Sequence, residues 1–106
     1  MRFGLWYPLD EAGDHAPVAP GILQLRLAHG LIDYPRGKSA MVHYAHAEDV
    51  RAAALALAAT HAGEGLVARH LIEIDGATDL GTFYAKLRGE FERRFGRAPD
   101  FPEPLR

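Results

Sequence analysis

The sequence predicts an α/β domain of the α+β kind: a small mixed or antiparallel sheet of three to four strands, packed by two main helices. Three observations predict it. Leu23, Leu25 and Leu27 alternate with Ile22, Gln24 and Arg26, the period-two pattern of a strand. Eight of the sixteen positions from Ala47 to Ala62 are alanine, the strongest helix former. Leu80, Phe83, Tyr84, Leu87, Phe91 and Phe95 recur at helical spacing and draw an apolar stripe along one face.

Taken in order, Arg2 to Tyr7 sets Phe3, Leu5 and Tyr7 against Gly4 and Trp6, a short edge strand ending at Pro8. Asp10 to Pro20 mixes acids with Gly13, Pro17 and Pro20 and reads as a surface loop. Gly21 begins a strand that turns at His29-Gly30. Leu31 to Tyr34 extends a hairpin before Pro35-Arg36-Gly37, and Ser39 to Ala45 supplies the next strand. The alanine-rich helix follows, with Asp49 at its positive end, Gly63 as its stop and Leu55 on the face opposite Val50, Ala54, Leu57 and His61. Leu66 to Ile74 is a strand closed by Asp75-Gly76, and a helix from Thr78 or Asp79 runs to Phe95 with Gly96 as the residue after it. The expected organisation is one domain over residues 1–106. Residues 1–19 make an N-terminal strand and loop, and residues 97–106 a Pro-rich extended tail lying against the body through Phe101.

At 106 residues the chain suits one hydrophobic core. A hydrophobic fraction of 48% with 25% charged residues is that of a folded domain, not a disordered one. The absence of cysteine removes disulfides, thiolate metal sites and a thiol nucleophile together. No apolar run is long enough to cross a bilayer, and acids follow the first few residues, so the expectation is a cytoplasmic protein without membrane contact. A net charge of −2 exerts no global pull on phosphate, so nucleic-acid binding requires a local cationic cluster.

Gly21-Ile22-Leu23, a hairpin-like stretch, His43-Tyr44-Ala45 and then His46-Ala47-Glu48-Asp49-Val50 opening a helix together resemble the GIY-YIG domain. In that family a Gly-Ile-Tyr strand pairs with a Tyr-Ile-Gly strand, and a short stretch with an aspartate leads into the first helix. The resemblance runs from about Pro20 to Pro102 and implies a nuclease scaffold whose chemistry has been lost. It places the two family tyrosines at Leu23 and His43, the second motif's glycine at Ala45, the catalytic arginine at Ala53 and the terminal asparagine at Pro102. A methyl group at position 53 cannot stabilise a phosphoryl transition state. Arg51 projects about 200° around the helix from that position. The family's metal-binding glutamate falls on Glu90, a single oxygen donor where Mg²⁺ or Mn²⁺ needs several.

Each candidate has a competing structural role. Glu90 lies at helical spacing from Lys86, Arg93 and Arg94, which suits a solvated intrahelical ion pair. His43 and His46 have His-x-x-His spacing without a further ligand, and His61 and His70 suit semi-buried structural roles. Pro35-Arg36-Gly37-Lys38-Ser39 lacks the first glycine of a phosphate-cradling loop and reads as a basic turn. Lys86, Arg88, Arg93, Arg94 and Arg97 gather charge on and after the last helix, where Arg36 and Lys38 add to it if the fold brings them near.

The sequence thus leads to a non-catalytic protein-binding or oligomerisation module without a cofactor, with Trp6, Tyr7 and Leu55 as exposed apolar contacts. A second reading is nucleic-acid binding without cleavage through Arg36, Lys38, Lys86, Arg93, Arg94 and Arg97. A third is a divergent Mg²⁺- or Mn²⁺-dependent endonuclease in which His43 or Tyr44 replaces a tyrosine and Glu90 holds the metal.

Overall fold

The computed structural model describes residues 1–103 of the 106. The chain runs β1 (Arg2–Phe3), β2 (Tyr7–Pro8), α1 (Leu9–His15), β3 (Gly21–Leu27), β4 (Ile32–Tyr34), β5 (Gly37–Ser39), β6 (Met41–Ala47), α2 (Val50–Thr60), β7 (Leu66–Glu73) and α3 (Leu80–Phe95). It is an α+β fold with three helices and an antiparallel sheet. β3 lies between β6 and β7, and β1 and β2 share the far edge of β7. β4 and β5 pair only with each other, as a separate ribbon.

The register explains why β3 is buried on both faces. Leu23 stands opposite Ala45 and His70, and Leu25 opposite His43 and Ala68, while Gln24 stands opposite Tyr44 and Arg69. Side chains directly opposite one another share a face. The Leu23 face is covered by α1 and α2; His15 at the end of α1 stacks on Tyr7, and His61, the residue that caps α2, stacks on Phe101 of the tail. The Gln24 face is covered by α3, whose Phe91 meets Tyr44 edge-on at 5.8 Å. Because α3 packs on β6, β3 and β5, the half of this face formed by β7 and the β1–β2 segment lies beside the helix, not beneath it.

Several expectations need correction. The segment read as a loop holds α1: Leu9, Ala12 and Gly13 are its buried residues, Asp10 and Glu11 sit in the first turn, and Pro8 precedes it where no amide is needed. The glycine that argued against a helix is what lets α1 approach α2, since a Cβ on Gly13 would lie 2.6 Å from Leu55 Cδ2. Leu55, 53% exposed, is therefore part of a helix–helix contact. The first strand is interrupted at Gly4–Trp6, giving two short pieces and raising the strand count above the three to four expected. Residues 32–34 do form a hairpin, but their partner is Gly37–Ser39, in the separate β4–β5 ribbon. Ala47 ends β6, so α2 starts at Val50 and ends at a cap on His61, before Gly63.

The ends of α3 match the sequence signals. The Asp79 carboxylate accepts from the Thr82 amide at 2.8 Å. Gly96 takes the left-handed conformation (φ 93°), and its N–H donates to the Glu92 carbonyl at 2.7 Å. Of the extended tail, residues 104–106 lie outside the described residues.

Candidate functional site

After Gly96 the tail lies along the outer edge of β6. The Phe101 N–H donates to the Val42 carbonyl at 2.7 Å, and Asp100 pairs with His43. Phe101 has φ 48°, unusual for a residue with a Cβ. Its ring is sandwiched between the imidazoles of His43 (4.4 Å) and His61 (4.0 Å), which compensates for the backbone conformation. Asp100 pairs with Arg88 of α3 and stands 3.7 Å from His43 Nδ1. Both His43 Nδ1 and Arg88 Nε are buried without a hydrogen-bond partner among the described residues.

Burial lowers the His43 pKa below its usual 6.5, Asp100 opposes that shift, and Arg88 and His61 reinforce it. The folded state therefore favours the neutral ring. Stability from this group is complete above about pH 6.5 and is lost as pH falls from there toward the lowered folded value. Between about pH 7.5 and 5.5, His43→Phe is expected to lose less stability in urea unfolding than the wild type. Some loss persists, because burial and the neighbouring His15 lower His70 in the same direction. Equal losses in the two proteins would rule His43 out as the titrating group.

On the other face, Tyr44 and Met41 form the floor and Leu87, Glu90, Arg93 and Arg94 the wall of an open groove of about 470 Å³ between β6 and α3. Tyr44 is buried, its backbone carbonyl accepts from the Tyr84 hydroxyl at 3.2 Å, and desolvation raises its phenol pKa, so it remains protonated at neutral pH. The three candidates for catalysis are thus divided. Tyr44 and Glu90 line one groove, whereas His43, adjacent to Tyr44 on a strand, points to the opposite face. The positions matched to the family tyrosines, Leu23 and His43, lie on that opposite face, away from Glu90.

Glu90 is exposed and forms no ion pair among the described residues, so the expected bridge to Lys86, Arg93 or Arg94 is not made. No group of three or more His, Asp or Glu side chains is placed to hold a metal among the described residues. Glu90 alone does not fit the oxygen-rich shell of Mg²⁺ or Mn²⁺. The spacing of His43 and His46 fails for the geometric reason that residues three apart on a strand face opposite ways. His61 Nδ1 is 3.0 Å from the Glu64 carboxylate.

The basic candidates separate into two sets. Arg36 reaches the end of α3 and donates to the carbonyls of Glu92 (3.3 Å) and Arg93 (2.7 Å), a C-terminal cap that opposes the negative helix end. Arg93 and Arg94 line the adjoining groove, and Arg97 is close enough to Tyr34 to influence its ionisation. Lys38 is tied to Asp33 across the ribbon. Lys86 stands exposed two helical turns before Arg93.

Sequence reasoning missed the residues beside the groove. Arg26 on β3 and Arg69 on β7 place their guanidinium carbons 4.1 and 4.5 Å from the Trp6 ring centroid, and Arg69 also lies 4.7 Å from that of Phe3. Trp6 and Tyr7 are half-buried, contrary to their reading as exposed contacts: Trp6 is covered by these arginines, and Tyr7 stacks on His15 at 3.7 Å. The available signal was an arginine within each of two strands rich in apolar residues, Arg26 two places from Gln24 and Arg69 beside His70.

No protein-family model, curated protein or solved structure matches this chain. Its chemistry rests on its own geometry.

Proposed function

We propose that this chain is a non-catalytic binding module for single-stranded nucleic acid, carried on the α3 side of its sheet. The observation that supports the reading is the gathering of Arg36, Arg93, Arg94 and Arg97 around the C-terminal end of α3, next to a groove floored by Tyr44 and Met41. Cations along the rim attract backbone phosphates, and an apolar floor accepts bases that are not paired. Splitting His43 from Tyr44 and Glu90 favours binding over cleavage. The overall charge of −2 makes the interaction depend on this local cluster and therefore on salt.

Fluorescence anisotropy with a labelled oligodeoxynucleotide of about ten bases tests this. With three to four phosphate contacts, affinity is expected to fall roughly 20- to 50-fold between about 50 and 200 mM salt. Arg93→Glu combined with Arg94→Glu should weaken binding more than about tenfold. Affinity indifferent to both salt and charge reversal would remove the reading.

Protein docking or self-association has a different support: Leu5, Ile72 and Ile74, exposed by 73%, 49% and 46%, occupy the β1–β7 side of the sheet. Its mark is a light-scattering mass that rises with concentration and returns to the monomer value in Leu5→Glu.

A further inference from the structure

The open half of the α3-side face carries a charge arrangement that packing alone does not require. Gln24 stands opposite Arg69 and Arg26 opposite Val67, so the two arginines occupy diagonal positions on one face of adjacent strands. Both guanidinium groups lie against Trp6, close enough to repel. A carboxylate between them would relieve that repulsion. Among the described residues, however, the ion pairs engage Arg2, Lys38, His43, His61 and Arg88, and neither of these two arginines. Burial first, and then the Arg26 charge, lower the Arg69 pKa.

The pair is also held in place. Buried Gln24 accepts from Arg69 Nε at 2.8 Å and fixes the plane of that guanidinium, while the rings of Trp6 and Phe3 support its face. The terminal amino groups of Arg69 and the whole donor fork of Arg26 have no hydrogen-bond partner among the described residues. Two adjacent positive charges with free donors match a group with two negative charges and several acceptor oxygens.

We propose that Arg26 and Arg69, braced by Trp6, Phe3 and Gln24, bind the terminal phosphate monoester of a nucleotide or oligonucleotide. A monoester carries close to two negative charges at neutral pH, where a bridging phosphodiester carries one. The site is continuous with the groove, because Met41, on its floor, stands directly opposite Arg26. A base attached to the bound phosphate can therefore lie against Met41 and Tyr44. The inference deepens the nucleic-acid reading by naming the end of the strand as the recognised element.

The test compares adenosine 5′-monophosphate with adenosine, and a 5′-phosphorylated oligonucleotide with its unphosphorylated form, at constant ionic strength. Isothermal titration calorimetry gives the affinity, and emission of Trp6, the only tryptophan, reports on the site. The phosphorylated member of each pair is expected to bind at least about tenfold more tightly, as loss of a charge-assisted contact implies, and to change Trp6 emission. Arg26→Gln alone, at a half-buried position, should abolish that preference while leaving the thermal transition in place. Arg69→Gln checks the same result on the second strand. Equal binding within the pairs in the wild type, which needs no variant, would overturn the proposal. Monophosphate binding lost in Arg26→Gln, with no oligonucleotide binding by the wild type, would keep this site and refute the nucleic-acid module. Oligonucleotide binding that falls only in the Arg93 and Arg94 variant would do the reverse.

Discussion

Replacing Tyr34 with alanine is expected to destabilise the protein by about 3–5 kcal/mol, in the range for truncating a buried aromatic ring. Tyr34 is only 6% exposed. Its ring meets Phe91 edge-on at 5.0 Å and Phe95 at 5.8 Å, which joins the β4–β5 ribbon to α3. Its hydroxyl donates to the Met41 carbonyl at 2.6 Å, tying the ribbon to the start of β6. Burial pushes the phenol pKa up to about 12, with Arg97 opposing, so this donor stays protonated across the range in which the protein would be studied. For a domain of this size the loss corresponds to a fall in melting temperature of more than about 10 °C. Tyr34→Phe separates the two contributions: it keeps the ring, leaves Met41 without its donor and should cost about 1–2 kcal/mol. The same contact positions Arg36 at the end of α3, so Tyr34→Ala should also weaken oligonucleotide binding at temperatures where it remains folded. A melting shift of under about 2 °C would show that the ribbon does not depend on this residue.

Leu25→Ala is expected to cost a similar amount, about 3–5 kcal/mol, through a different cause. Leu25 is fully buried at the centre of β3, the strand paired on both sides, and stands opposite His43 and Ala68. The rigid neighbouring strands cannot close around the missing atoms, so the cavity term adds to the lost transfer energy. Leu55→Ala is the control. At 53% exposure, with its contact to Gly13 the main loss, it should cost about 1 kcal/mol or less in urea unfolding. Comparable values for the two leucines would contradict the central position of β3.

The elements that could be read directly are those whose own residues carry a complete local signal. The Leu23–Leu25–Leu27 alternation, the alanine run before Thr60 and the stripe from Leu80 to Phe95 with Asp79 and Gly96 at its ends each became the expected element. Local signals misled where a residue served a neighbour. Gly13 looks like a helix breaker, yet its missing side chain is what α2 requires through Leu55. Residues 31–34 carry strand propensity, but no local term says whether they pair with β3 or with Gly37–Ser39.

The site divides in the same way. Charge on α3 was visible as composition, and helical spacing placed Glu90 near Arg93 and Arg94; strand alternation sends Tyr44 and His43 to opposite faces wherever the strand lies. The closeness of Arg36 to the end of α3 depends on a ribbon folding back through Tyr34, some sixty residues away along the chain. The meeting of Arg26 and Arg69 against Trp6 depends on the register of β3 with β7 and on the edge segment that brings Trp6 beside them. By itself the sequence determined the class of fold, the strand from Gly21 to Leu27 and the two long helices, because period and capping act within a few residues. The tertiary structure decided which charges meet and which are left without a partner, because those distances are set by strand register and helix placement.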